Sequence, residues 1–181
     1  HRLGAEPSTD TVVLADEDAD PVTVAADLLA QAEHDTDALP ILVTPSQELA
    51  DAVDAELSRQ LEVLPTQDTA RVAGGNGFVV LVEDMDAGME ICDRLAPEHL
   101  EVLAKDATKR APRLKHYGGL FVGDGAAEVL GDYGAGPNHT LPTGGTARSF
   151  AGLSVFNFLR VRTWMEIEDR HASQELVQDS I

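Results

Sequence analysis

The sequence has little of several features that mark particular classes of protein. It contains one cysteine, Cys92, in 181 residues, which excludes an internal disulfide framework and is typical of a reducing compartment. No apolar run reaches the length that a bilayer requires, and the first residues lack a charged-then-apolar signal pattern. We therefore expect a cytoplasmic protein, and a hydrophobic content of 43% indicates one globular domain with its own core.

Lysine is also scarce, and the charge of the chain is strongly one-sided. Only Lys105, Lys109 and Lys115 are present, and 32 acidic residues against 13 basic ones give a net charge of −19. Such a surface excludes binding to nucleic acid or to anionic membranes, since both require basic patches. Because the acidic residues are dispersed, we hypothesise a halophilic protein whose repulsion is screened by concentrated salt. The alternative is an ordinary acidic cytoplasmic enzyme, and stability measured against salt separates the two.

Strand-like apolar runs alternate with helix-like segments along the first two thirds of the chain. This alternation predicts an α/β fold, a Rossmann-like three-layer domain with a mostly parallel sheet over residues 1–160. Parallel sheets bind ligands at the carboxyl ends of their strands, so we expect the site there. A Gly- and Pro-rich loop follows over 123–152, helical periodicity resumes at 153–159, and residues 161–181 are expected to begin a helical tail. The predicted strands are 11–15, 41–43, 78–82, 100–103 and 120–122, and the predicted helices are 22–32, 44–64, 84–95 and 109–116.

Gln31 and His34 form the first group of candidate ligands. They are three residues apart at the end of the first predicted helix, so they project from one face. An amide oxygen and an imidazole nitrogen at this spacing are able to hold one metal ion. The alternative is a solvated helix end without a function.

Glu98 and His99 place a carboxylate beside an imidazole at a helix-to-strand corner. Histidine is the commonest general base because its ordinary pKa lies close to working pH, and a neighbouring carboxylate is able to orient a water molecule. The alternative is that Glu98 caps a turn and His99 packs at the edge of the sheet.

The third group lies in the loop over 131–148. Its density of glycine and proline enforces a defined backbone path among polar side chains. Asp132 is suited to metal binding because its carboxylate oxygens are hard donor atoms. An ordered surface loop in which Asp132 caps a turn is the alternative.

Three segments of the sequence resemble the histidinol dehydrogenase family. They read LAQAEH at 29–34, APEHLE at 96–101 and GPNHTLPTGG at 136–145, and they occur in the family's order with similar spacing. The resemblance runs from about residue 7 to the end. It implies a zinc-dependent enzyme that oxidises L-histidinol to L-histidine in two NAD-linked hydride transfers, through an aldehyde.

The resemblance also implies a role for each candidate residue. Gln31, His34 and Asp132 correspond to zinc ligands that also contact the substrate. His99 corresponds to the proton acceptor, which touches the substrate, and Glu98 to the residue that activates water. Thr9 falls where the family commonly has a substrate-binding serine, and His139 is expected to line the pocket or to support Asp132.

The resemblance further implies that part of the active site lies outside this chain. In the family, the NAD-contacting residues lie N-terminal to this region, so no cofactor-binding residue is assigned here. The remaining zinc ligand is a histidine in a C-terminal tail, supplied by the other subunit of an intertwined homodimer, and His171 lies too early to be that ligand. We therefore expect this chain to be an inactive piece of a longer enzyme, with 161–181 beginning the dimerisation segment.

Two other functions are compatible with the sequence. The segment AEPSTD at 5–10 departs from the family's usual Gly-Pro-Ser-Glu or Gly-Pro-Thr-Glu pattern, which leaves open a related zinc and NAD dehydrogenase acting on another small alcohol. A non-catalytic α/β domain is the third possibility. Assays of substrate preference separate the first two, and zinc content tests the third.

Overall fold

The protein is described by a computed structural model that covers residues 9–132, 139–169, 171, 174 and 177–179, without the side chains of Val129 and Asp132. Its centre is a five-stranded sheet in which all four neighbouring pairs are parallel. The order of the strands is β3-β2-β1-β4-β5, and the direction of the connections reverses between β1 and β4. The prediction of a mostly parallel α/β sheet is confirmed. The strands are β1 (Asp10–Ala15), β2 (Leu39–Thr44), β3 (Phe78–Leu81), β4 (His99–Leu103) and β5 (Gly119–Val122).

Six α-helices connect and flank these strands in the described part of the chain. The first begins where the sequence predicts, since the Asp20 carboxylate accepts hydrogen bonds from the N–H groups of Val22 and Thr23 and proline occupies the first helical position. The helices are α1 (Pro21–Ala32), α2 (Gln47–Leu61), α3 (Gln67–Gly74), α4 (Met85–Leu95), α5 (Ala107–Arg110) and α6 (Val129–Asp132).

Three predicted helices differ from those observed. The helix predicted over 44–64 begins at Gln47, where the Ser46 hydroxyl caps it, and a further helix, α3, follows where neither a helix nor a strand was predicted. The helix predicted over 109–116 is a short α-helix that continues as a 3₁₀ turn at Ala111–Arg113, because Pro112 cannot donate an α-helical hydrogen bond. Residues 153–159 form only a 3₁₀ turn at Val155–Phe158.

The sheet has helices on both faces, as predicted for three layers. Side chains of a strand alternate between faces, so Val12 and Leu14 of β1 pack with Met89 and Cys92 of α4. Val13 of β1 packs instead with residues of α1 and α2. By the same alternation Thr11 and His99, which are register partners in β1 and β4, lie on the face that α1 covers. This face carries the candidate site.

The segment after residue 149 exposes many large apolar side chains. Residues 161–169 have no regular secondary structure, and the helical assignments that follow begin at His171. Within the described residues, no helix has the length and apolar composition needed to cross a bilayer. The large exposed apolar side chains in the described part of this segment are Phe150, Leu153, Val155, Phe156, Phe158, Leu159, Val161, Trp164, Met165, Ile167 and Val177.

Candidate functional site

Four of the candidate residues, Thr9, Gln31, Glu98 and His99, lie at the amino ends of the strands, and for them the expected location at the carboxyl ends is wrong. Thr9 precedes β1, Glu98 precedes β4, and His99 is the first residue of β4. Gln31 is close to them because α1 runs antiparallel to the strands, so its last turn returns to their amino ends. The same geometry brings the end of α4, and hence Glu98, to this edge.

Gln31 is held rigidly at this edge. Its side chain is fully buried, and its Nε2 donates a hydrogen bond of 2.8 Å to the Thr9 hydroxyl. Its Oε1 lies 2.6 Å from the Thr11 hydroxyl. A carboxamide oxygen has two lone pairs, so accepting the Thr11 proton leaves one lone pair of Oε1 for another ligand.

Thr11 connects Gln31 to an acidic residue that sequence reasoning did not identify, Glu128. The Thr11 hydroxyl lies 2.8 Å from Glu128 Oε2 as well as 2.6 Å from Gln31 Oε1. Since a hydroxyl carries one proton, it donates to one of these acceptors at a time. The other carboxylate oxygen of Glu128 lies 3.4 Å from His99 Nδ1. One continuous polar chain therefore runs from Thr9 through Gln31, Thr11 and Glu128 to His99.

His99 is the most enclosed imidazole of the candidate set. Its residue is 7% exposed, and its ring centroid lies 6.0 Å from that of Phe121 on β5, at an interplanar angle of 41°. The Phe121 ring also packs against Gly131, where a Cβ atom would lie 3.0 Å from it. The Phe121 ring therefore lies between His99 and the backbone of α6.

Glu98 is positioned through its backbone. Its N–H donates a hydrogen bond of 3.0 Å to Asp10 Oδ1, and its carbonyl oxygen accepts one of 2.7 Å from the Gly119 N–H. Burial raises the pKa of Asp10, against the lowering effect of its hydrogen bonds to the backbone of Glu98 and Gly144. Asp10 thus joins the second sequence motif to the third, in which Gly144 lies.

Gly118 provides the close approach that this arrangement requires. A Cβ atom at this position would lie 2.5 Å from the Glu98 carbonyl oxygen and 3.1 Å from the Pro142 ring. Only a residue without a side chain fits there without a shift of backbone. The third motif therefore packs directly over the corner that carries Glu98.

A pair of carboxyl groups lies beneath Glu128. Glu101 is 1% exposed, and burial together with the Asp27 charge raises its pKa to about 8. Burial also raises the pKa of Asp27, which is hydrogen-bonded to Glu101. Glu101 Oε1 accepts a hydrogen bond of 3.0 Å from the Glu128 N–H. This hydrogen-bonded pair therefore anchors the backbone that carries Glu128.

The remaining candidates are placed less completely. His34 lies one turn beyond Gln31 and is exposed, as is His139. In the part of the chain that the structure describes, neither imidazole is hydrogen-bonded to Gln31, and no group of three or more His, Cys, Asp or Glu residues is arranged to hold a metal ion. Asp132 ends α6, but its side chain lies outside the described residues.

Four residues of this polar network were not singled out as candidates from the sequence: Asp10, Thr11, Glu101 and Glu128. Three of them carried a signal, since Asp10, Thr11 and Glu101 are polar residues inside strands that are otherwise apolar and buried. A buried polar side chain requires a partner, so these positions marked a polar network. Glu128 lies in a loop, and no local pattern distinguishes it.

The opposite edge of the sheet is acidic. Asp16 follows β1, and its two carboxylate oxygens accept hydrogen bonds from the N–H groups of Asp18 and Lys105. Glu17 lies between Asp16 and Asp18, in the turn after β1. In dinucleotide-binding folds this turn carries glycines that approach a pyrophosphate. Carboxylates at this position repel an anion such as a pyrophosphate.

The fold and the polar chain together define an α/β protein whose candidate site combines a buried imidazole, carboxylates and a locked carboxamide. The family model for histidinol dehydrogenase matches residues 3–180. The chain therefore belongs to the histidinol dehydrogenase family.

Individual relatives agree with this assignment. The chain is 49% identical to histidinol dehydrogenase of Thermobifida fusca over 154 residues, which are 84% of this chain and 35% of the relative. It is 51% identical to that of Geobacillus kaustophilus over 157 residues, 86% of this chain and 37% of the relative. The crystal structure of histidinol dehydrogenase from Elizabethkingia anophelis superposes with a TM-score of 0.81 at 34% identity, covering 85% of this chain and 35% of the other. The chain thus spans about a third of the length of these relatives.

Proposed function

We propose that the protein carrying this chain oxidises L-histidinol to L-histidine in two NAD-linked steps, with zinc as its metal. Membership of the family supports the activity. The observation that carries it is the polar chain from Thr9 to His99, because it joins the candidate substrate contact, the candidate metal ligand Gln31 and the candidate base at one edge of the sheet.

His99 is the proton acceptor of this proposal. In the first step its imidazole takes the hydroxyl proton while the carbon loses a hydride, which yields the aldehyde. Glu98 then takes a proton from a water molecule that adds to the aldehyde carbon, and the protonated His99 gives its proton to the aldehyde oxygen, which completes the hydrate. In the second step His99 accepts a proton from the hydrate, a second hydride leaves, and the acid forms. NAD supplies the hydride acceptor in both steps.

Gln31, His34 and Asp132 are the proposed zinc ligands. Amide, imidazole and carboxylate groups are donors that zinc accepts, and Gln31 fits the role because its Oε1 is fixed in place with one lone pair remaining. His34 follows one turn later with an exposed ring. When bound, zinc supplies a fixed point for the amine and imidazole nitrogens of the substrate.

Thr9 and His139 complete the proposed contacts with substrate. The Thr9 hydroxyl accepts a hydrogen bond from Gln31, so its own proton is available for a ligand. His139 lies three residues before Pro142, whose ring packs at the Glu98 corner, and it lines the pocket or supports Asp132 in this proposal.

The proposed assembly is a cytoplasmic homodimer with a site shared between subunits. The exposed apolar segment after residue 149 supports it, since so many large apolar side chains on one stretch indicate a surface that is covered in the whole protein. We assign residues 1–160 to the incomplete α/β domain and 161–181 to the beginning of the dimerisation segment.

The test is turnover by the whole protein that carries this chain. We expect two NADH per L-histidinol, loss of activity after zinc is removed by a chelator, and recovery when zinc is returned. His99→Asn and Glu98→Gln should each lower kcat by at least about 100-fold, as for loss of a general acid or base. Turnover of another small alcohol in preference to histidinol, or a protein that binds no zinc, would refute the proposal.

A further inference from the structure

We propose that Glu128 is the positioning residue of this site: its carboxylate fixes the His99 ring with the proton on Nδ1, and so makes Nε2 the nitrogen that accepts a proton. This inference deepens the proposed function and rests on it for the role of His99, but the contacts that carry it do not depend on the substrate.

The geometry of Glu128 is that of a bridge between two strands. Thr11 and His99 are paired residues of β1 and β4, and the two oxygens of one carboxylate reach both of them, at 2.8 Å from the hydroxyl and 3.4 Å from Nδ1. The side chain of Glu128 is only 11% exposed, so water competes weakly for these contacts. A carboxylate held there is an acceptor, and it favours the tautomer whose Nδ1 carries a proton.

The backbone of Glu128 is fixed independently of its side chain. Its N–H donates to Glu101 Oε1 at 3.0 Å, and Glu101 is itself buried and hydrogen-bonded to Asp27. Glu128 is therefore fixed at two points, by its backbone N–H through Glu101 and by its carboxylate through Thr11. A group anchored in this way orients a ring, whereas a mobile surface carboxylate does not.

The contact between Glu128 and β1 requires a hydroxyl at position 11, which Thr11 supplies. Its hydroxyl contacts Glu128 on one side and Gln31 on the other, so the position of Glu128 depends on the residue that we propose as a zinc ligand. The His99 Nδ1 and Glu128 Oε1 atoms lie 3.4 Å apart, which is a charge contact and not a formed hydrogen bond, and contacts of this kind in catalytic sites shorten when substrate binds.

The decisive measurement is the tautomer of His99 in the whole protein, labelled with ¹⁵N-histidine, with His99→Asn to assign its signal. We expect the Nδ1–H tautomer in the unmodified protein at pH 8. Glu128→Ala should increase the population of the Nε2–H tautomer. Glu128→Gln should retain the Nδ1–H form, because its amide oxygen still accepts. An unchanged tautomer in Glu128→Ala would overturn the proposal.

A second readout does not depend on Glu128→Ala folding. Removing the negative charge destabilises the imidazolium, so Glu128→Gln should lower the pH at which His99 titrates. The other acidic side chains of the site, Asp10, Asp27, Glu98 and Glu101, are unchanged in this variant. Glu90→Gln, at an exposed position of α4, is the matched control and should leave the titration as it is. Equal titration in both variants would overturn the proposal.

Kinetics separate this inference from the proposed function. If the protein oxidises histidinol, Glu128→Ala should lower kcat by up to about 100-fold, as expected for a misplaced catalytic group, with KM changed little and zinc content unchanged. A shifted tautomer in a protein that does not oxidise histidinol would refute the proposed function and still support the positioning role. A normal kcat with an unchanged tautomer would refute the positioning role alone.

Discussion

Thr11 and His99 are paired in neighbouring parallel strands, and one carboxylate, that of Glu128, contacts both side chains. The pairing places a hydroxyl and an imidazole side by side on the face that α1 covers. Thr11 also contacts the buried carboxamide of Gln31. The hydroxyl of Thr11 is therefore the point at which the two halves of the site are joined.

Thr11→Val should destabilise the protein by about 1–3 kcal/mol, because it preserves the shape of the side chain but leaves the buried Gln31 Oε1 without its donor. The measurement is the free energy of unfolding in urea. Thr36→Val is the matched control, since the Thr36 hydroxyl is exposed and makes only a long contact of 3.4 Å with Asp35. The role of Thr11 would be contradicted if both variants had the same stability.

Glu101→Gln should make stability less dependent on pH. Glu101 has a pKa of about 8 when folded against an ordinary value of 4.5, so between these values the folded state holds a proton that the unfolded state has lost. Stability must then fall as the pH rises from about 4.5 to about 8, and level off above it. Glutamine removes this titration and keeps an oxygen to accept the Glu128 N–H.

The measurement for Glu101 is the urea midpoint of unfolding at several pH values between 4.5 and 9. The difference in midpoint between Glu101→Gln and the unmodified protein should grow as the pH rises through this range. Glu90→Gln, which changes an exposed carboxylate, should follow the unmodified protein. A constant difference between the Glu101→Gln and unmodified curves would show that Glu101 has an ordinary pKa.

Gly118→Ala should destabilise the protein by about 1–3 kcal/mol, since the added Cβ atom would lie 2.5 Å from the Glu98 carbonyl oxygen and the backbone must shift to admit it. The same shift should lower kcat, because Glu98 and His99 lie on the displaced corner. Gly125→Ala is the matched control, with nothing within 4 Å of the added atom. Thermal unfolding and kcat of the two variants provide the test, and equal values would contradict it.

Low concentrations of KCl should stabilise the protein. With a net charge of −19, its self-repulsion decreases as the Debye length falls from about 30 Å at 0.01 M salt to about 10 Å at 0.1 M. The midpoint of thermal unfolding should therefore rise steeply over this range and continue to rise toward molar salt if the protein is halophilic. A midpoint that does not change with KCl would remove the halophilic hypothesis.

The fold was largely predictable because its signals are local. The strands are runs of apolar residues, and Asp20 followed by Pro21 marks the first helix by a capping rule that does not depend on the rest of the protein. The second helix was predicted too long, since Pro65 and the polar residues after it gave no clear sign that a separate helix follows. Residues 153–159 have helical periodicity but no layer of the described fold to pack against, and periodicity alone does not sustain a helix.

The site was predictable only in part, because its contacts join residues far apart in the chain. Glu98 and His99 are neighbours, and Gln31 and His34 share one helix end, so both pairs were visible in the sequence. Glu128 contacts Thr11 across 117 positions, and no local pattern encodes such a contact. The prediction that the site lies at the carboxyl ends of the strands was wrong for a related reason. The rule for parallel sheets concerns the loops that follow strands, whereas these residues lie at the ends of helices and at the beginnings of the next strands.

Two aspartates tie β4 to β1 at opposite ends. Asp10 accepts the N–H of Glu98 just before β4, and Asp16 accepts the N–H of Lys105 just beyond it. If β4 slipped past β1 by one residue, His99 would turn to the far face of the sheet, and both carboxylates would lose their donors in the same event. The pairing of Thr11 with His99 is thus maintained by two side chains that need no contact with a substrate.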